Sequence, residues 1–173
     1  VKQFKFRDNL MVKADKPIAV GQFMVGSWYP GRDEQCKAPS PLDPEGETRG
    51  CKVQTMCDDG TTRIGDPAFL LNVSTSQFLE EYVIRIPKSY QEDWINIVAP
   101  EGASIQVDGS AVSGSGQAIS GTKWRIYQKK VSPGVHRIKS TGGKKFGLYG
   151  YGYGCDVSYA YPGGLDLGSN SGP

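Results

Sequence analysis

Apolar and polar residues alternate with a period of two along most of the second half of the chain, the pattern of strands that bury one face. Tyr82, Ile84 and Ile86 alternate with Val83, Arg85 and Pro87, and Ile105 and Val107 flank Gln106. Trp124 to Val131 alternates in the same way before Ser132-Pro133-Gly134 turns the chain into Val135 to Lys139. Trp94 to Ala99 (WINIVA) is apolar on both faces and reads as a buried strand. Asp108-Gly109 is the strongest short hairpin signal in the chain. Nearer the beginning, Phe4 and Phe6 alternate with Lys5 and Arg7, Leu10 to Val12 is a short apolar run, and Ile18 to Val25 reads as another buried strand. Ser110 to Gly121 is polar and reads as an exposed loop, and only Thr75 to Glu81 hints at a helical turn. Turn signals recur at intervals of about ten residues, which predicts roughly eight to eleven strands. The expected fold is all-β, an antiparallel β-sandwich.

One segment breaks the pattern. Between residues 26 and 66, four prolines and several glycines disrupt any period, and acidic residues outnumber basic ones 8 to 5 from Arg32 to Asp66. We read it as an irregular, cysteine-containing insertion in a single domain spanning residues 1–173, with 165–173 as a C-terminal linker. Loops of this length in compact domains are functional or disordered, and cysteines argue for order. The 173 residues suffice for one hydrophobic core, and 23 Gly with 11 Pro disfavour long helices. The formal charge of +2 excludes both a nucleic-acid-coating tail and an acidic disordered chain. No apolar run approaches the roughly 20 residues that cross a bilayer.

The four cysteines, Cys36, Cys51, Cys57 and Cys155, are even in number in a Gly- and Tyr-rich β chain. That favours disulfides and an oxidising, exported location over zinc, which needs short paired spacings. Of the three possible connectivities, we favour one bridge within the loop and one from the third loop cysteine to Cys155. Fastening so long a loop is worth about 3–5 kcal/mol in the chain-entropy model. Asp58, Asp59 and Asp66 are hard oxygen ligands in the constrained loop and make a weak calcium site, although solvated loop acids explain them more simply. Asn72-Val73-Ser74 matches the N-glycosylation sequon, a motif short enough to occur by chance.

Catalytic patterns are absent. No P-loop string occurs, and Gly114-Ser115-Gly116 lacks the strand-to-helix context of a dinucleotide site. A serine triad would have to use His136, the single histidine, which strand residues flank. Asp58-Asp59 and Glu80-Glu81 are adjacent pairs that point apart, poor geometry for a glycosidase. Eight basic residues, Lys123, Arg125, Lys129, Lys130, Arg137, Lys139, Lys144 and Lys145, occur with no acid among them. They oppose the acidic loop and could steer an anionic partner, or form a solvated sheet face.

The most unusual stretch is Phe146 to Tyr161 (FGLYGYGYGCDVSYAY). If extended, it places Tyr149, Tyr151, Tyr153 and Cys155 on one face and Leu148, Gly150, Gly152 and Gly154 on the other. Alternating glycines require a backbone or a large side chain, such as Trp94 or Trp124, against the bare face. The tyrosines then form either the inner face of the sandwich, the simpler reading, or an exposed binding platform, and Trp28 and Tyr29 are further candidate binding aromatics.

Asp15-Lys16-Pro17-Ile18 with Gln22, Gly65-Asp66-Pro67, Phe78 to Pro87, WINIVA with Pro100, Val107-Asp108-Gly109 and Ser132-Pro133-Gly134-Val135-His136 recur together with FGLYGYG and SYAYPGG at 146–152 and 158–164. On these motifs the chain resembles the IgGFc-binding-protein N-terminal domain family, as a bacterial-type extracellular member covering the C-terminal portion of the domain. The resemblance implies a non-catalytic adhesion or binding module of a cell-surface or secreted protein. No cofactor is expected, the residues carry no nucleic-acid-binding signature, and the expected partners are proteins or glycans on another cell or in the same surface assembly, alongside other domains of a longer parent. It does not transfer antibody binding, which has no residue signature in this chain. The alternative is a carbohydrate-binding module, calcium-assisted, in which Trp28, Tyr29 or the tyrosine ladder stacks on sugar rings; a hydrolase is the least favoured reading.

Overall fold

The computed structural model describes residues 2–3, 9–24, 65–155 and 157–168. Among the described residues, eleven strands lie in this order: β1 (Gly21–Phe23), β2 (Phe69–Leu71), β3 (Glu81–Ile86), β4 (Glu92–Pro100), β5 (Ile105–Val107), β6 (Ser110–Ala111), β7 (Gln117–Ala118), β8 (Trp124–Lys130), β9 (Gly134–Ser140), β10 (Gly147–Gly154) and β11 (Val157–Pro162). A single 3₁₀ turn, Thr75–Gln77, is the helical element among the described residues, capped by the Ser74 side chain accepting from the Ser76 amide. The strands form a five-stranded sheet in the order β11-β10-β4-β8-β7, a four-stranded sheet β3-β9-β5-β6 and a ribbon β1-β2. Every pairing is antiparallel. The fold is all-β, as the alternation predicts.

The two larger sheets share one hydrophobic cluster. Tyr82, Ile84 and Ile86 of β3, Ile105 and Val107 of β5 and Ile138 of β9 come from one sheet, and Ile95, Ile97 and Ala99 of β4 with Leu148 of β10 from the other. Each fully buried Ile or Leu is worth about 1.5–3 kcal/mol, so these period-two positions hold the layers together. Tyr82 brings a hydroxyl into this core, where it donates to the Phe146 carbonyl at 2.5 Å and accepts from the Leu79 amide at 3.0 Å, which removes the cost of burying it. The β5–β6 hairpin turns on Asp108 (φ 51°) and Gly109 (φ 83°), the two left-handed residues that a type I′ turn demands.

Several expectations change. The described part of the expected Ile18 to Val25 strand, residues 18–24, is not a buried strand: only β1 is regular, its partner is the three-residue β2, and Phe23 is 71% and Ile18 54% exposed, while Val25 lies outside the described residues. A run apolar on both faces is thus no proof of a central position. Leu10 to Val12 is irregular, and the expected strand at Phe4 and Phe6 lies outside the described residues. Ser110 to Gly121 is not wholly a loop, because it contributes the two-residue strands β6 and β7. Phe146 to Tyr161 is a hairpin of β10 and β11 rather than one strand.

Candidate functional site

The orientation of β10 decides which face of the five-stranded sheet can bind. Cross-strand partners share a face. Leu148 and Gly150 stand opposite Ile97 and Ile95, so the glycine side of β10 turns inward. The bare backbone there is covered by the neighbouring strand. A Cβ on Gly150 would lie 2.8 Å from the Tyr161 ring, and one on Gly152 would collide with the Tyr159 ring and come 2.6 Å from Asp93 Oδ1. Tyr159 and Tyr161, rather than Trp94 or Trp124, are the large side chains that the alternating glycines accommodate.

It follows that the tyrosine ladder is not the inner face of the fold. Tyr149, Tyr151 and Tyr153 stand opposite Asn96, Trp94 and Glu92 on the outer face, and Asn96 and Trp94 stand in turn opposite Gln128 and Lys130 of β8. Tyr149 is nonetheless buried, because the chain following β2 crosses over it: its hydroxyl accepts from the Val73 amide at 3.2 Å and lies 3.5 Å from the Val73 carbonyl. Tyr151 and Tyr153 are half-buried and meet edge to face with centroids 5.9 Å apart. The Tyr151 hydroxyl accepts from Gln128 Nε2 and donates to Asn96 Oδ1 at 3.4 Å, and burial pushes its pKa up to about 12, so it stays a neutral phenol. The Lys130 ammonium sits 5.7 Å from the centre of the Trp94 ring and 3.5 Å from Glu92. The outer face therefore carries aromatic surface, carboxamides and one mutually paired Lys–Glu couple.

Other polar groups are structural. His136 is buried, with Nδ1 2.6 Å from Asp108 Oδ2 and Nε2 2.7 Å from the Ser132 carbonyl. Both partners are acceptors, so the protonated imidazolium satisfies both contacts, and neither ring nitrogen meets a hydroxyl or thiol. Burial alone would lower the imidazole pKa, but the Asp108 and Ser132 bonds and the carboxylate charge raise it above 6.5. Asp93 is buried on the inner side, where the Tyr159 hydroxyl donates to it at 2.7 Å; desolvation raises its pKa against that bond. Four of the eight basic residues meet carboxylates: Arg125 with Glu101 (3.0 Å), Lys130 with Glu92 (3.5 Å), Arg137 with Glu81 (2.7 Å) and Lys145 with Asp166 (3.1 Å). The stripe is consequently no unscreened cationic face.

Of the candidate residues, the structure brings Tyr149, Tyr151 and Tyr153 together on the outer face. Trp28, Tyr29, Cys36, Cys51, Cys57, Asp58 and Asp59 lie outside the described residues. Asp66 is exposed, with its amide donating to Ser158 Oγ at 3.0 Å. No group of three His, Cys, Asp or Glu that could hold a metal occurs among the described residues, and none of their cysteines is free. Asn96 and Gln128 join the face unforeseen; the signal was available in WINIVA, where one amide interrupts an otherwise apolar run. A family model described as IgGFc binding protein matches residues 1–152. No curated protein and no solved structure matches the chain.

Proposed function

The chain belongs to the IgGFc binding protein family, and from that membership we propose that it is an extracellular protein-binding module without catalytic chemistry, built as a two-layer β-sandwich. Family membership is the observation that carries this reading. The site geometry supports it: the single histidine is held between two acceptors, and the most aromatic surface is a sheet face without an ionisable pair poised for proton transfer. The outer face of the five-stranded sheet, with Trp94, Tyr151, Tyr153 and Lys130, is the recognition surface, contributing to adhesion or to assembly of a larger surface structure. The described end of the cysteine-containing segment borders it, because Gly65 donates its amide to the Gly154 carbonyl at 2.8 Å. A disulfide from Cys155, which is not a free thiol, to a loop cysteine would fix that border.

The reading is tested by surface plasmon resonance of the immobilised domain against a panel of extracellular glycoproteins that includes immunoglobulin G Fc. Saturable binding to at least one member is expected, weakened by Lys130→Glu on the outer face and unaffected by Val83→Ala on the four-stranded sheet. Loss of binding in Val83→Ala with none in Lys130→Glu would place recognition on the other sheet, and no saturable binding at all would remove the reading.

A further inference from the structure

At the β7–β8 edge of the same outer face, a cavity of about 320 Å³ is lined by Asn9, Asn96, Ser113, Gln117, Ile126 and Gln128, among others. Its size falls at the small end of ligand sites, which run from about 300 to 1,000 Å³. None of the described residues that line it is charged. Four of its side chains are carboxamides, each offering donors and an acceptor on one planar group. Asn96 and Gln128 are direct cross-strand partners, with Cβ atoms therefore about 4.5–5.5 Å apart. Tyr151 uses one side of each amide, taking a hydrogen bond from Gln128 Nε2 and giving one to Asn96 Oδ1. That leaves Asn96 Nδ2 and Gln128 Oε1 without a partner among the described residues, a donor beside an acceptor. The phenol between them is neutral, Lys130 and Glu92 on the same face pair with each other, and the Arg125 guanidinium, which donates to the carbonyl of the lining residue Gly116, is paired with Glu101.

We propose that this cleft binds a neutral saccharide, with the Asn96 and Gln128 amides, held by Tyr151, taking adjacent ring hydroxyls and Ile126 meeting the apolar face of the ring. Adjacent hydroxyls are each donor and acceptor, so a donor-acceptor pair of amides satisfies two of them, whereas a phosphate, carboxylate or ammonium would find no counter-charge here. Calcium has no part in it, because no carboxylate is among the described residues that line the cleft. The proposal rests on reading this face as the recognition surface and names the chemical class it recognises.

Saturation-transfer NMR with the methyl glycosides of galactose, glucose, mannose and N-acetylglucosamine tests it, with sialyllactose as a charged probe. At least one neutral glycoside is expected to receive saturation, equally with and without EDTA. Gln128→Ala should weaken that binding by about fivefold, the value of one neutral hydrogen bond. Gln117→Ala, at an exposed position of the same cleft, should weaken it as well, and is read if Gln128→Ala fails to fold. No transfer to any neutral probe, transfer to sialyllactose alone, loss with EDTA, or transfer undiminished in folded variants each overturns the proposal. If the sugars fail while the domain still binds a protein through Lys130, only the ligand class is wrong; if both fail, the reading of the face is wrong.

Discussion

Replacing Gly152 by Ala tests the inward orientation of the glycine side of β10 through the sign of its effect. In a strand whose bare side faces open space, removing a glycine stabilises by about 0.4–1 kcal/mol, because the unfolded chain loses freedom. Here the new methyl would lie 2.8 Å from the Glu92 carbonyl oxygen and 2.6 Å from Asp93 Oδ1, and would collide with the Tyr159 ring. Backbone cannot give way, so the ring must, and its 2.7 Å bond to Asp93 goes with it. Overpacking costs about 1–3 kcal/mol, and a hydrogen bond to a charged group about 1.5–3 kcal/mol. The two share atoms and do not add. A net destabilisation of about 2–3 kcal/mol remains, or roughly 5–10 °C in Tm for a domain of this size. Urea denaturation and calorimetry read it, with Gly142→Ala as the control. A Cβ at Gly142 meets nothing within 4 Å, so that change should stay within about 0.5 kcal/mol of the parent. A Gly152→Ala protein as stable as the parent would refute the packing of β10 against β11 and return the tyrosine ladder to the interior.

The His136–Asp108 pair makes stability depend on pH. The raised His136 pKa contributes stability that is fully present below 6.5 and lost as pH rises through the folded value, while the lowered Asp108 pKa contributes stability present above 3.8 and lost as pH falls through its folded value. The stability lost in His136→Gln, about 1 kcal/mol, should therefore be larger at pH 5.5 than at pH 9 in denaturant titrations; an equal loss at both removes the ion pair from the account. Tyr149→Phe deletes the hydroxyl that pins Val73 and should lower Tm by about 2–4 °C and speed amide exchange at residues 71–74, with β4 unaffected. Reduction should lower Tm as well, by an amount reflecting about 3–5 kcal/mol per long bridge, and native mass spectrometry should find no free thiol; four free thiols would remove the bridged loop.

Much of the fold is legible because one buried face writes itself as alternation: Tyr82, Ile84 and Ile86, Ile105 and Val107, and Ile138 all lie where a period of two places them. The Asp108-Gly109 turn is legible because few residue pairs accept two successive left-handed conformations. Alternation divides β10 into two faces but cannot say which is inside, since tyrosines are as good a core as Leu148 until the register sets Leu148 against Ile97. Likewise Ile18 to Val25 resembles WINIVA in composition, and only the number of partners separates a ribbon from a central strand. Asn96 and Gln128 lie 32 residues apart and become a pair only through the β4–β8 register, which no local pattern contains.

The central claim is that the outward, aromatic and amide-bearing side of the five-stranded sheet is where this module meets its partner. Amide chemical-shift mapping, titrating the ¹⁵N-labelled domain with the panel glycoprotein that binds it, tests that claim most directly. Shifts clustered at Trp94, Asn96, Gln128, Lys130 and Tyr151 are expected. Shifts confined to Val83, Arg85 and Val135 on the four-stranded sheet would contradict it.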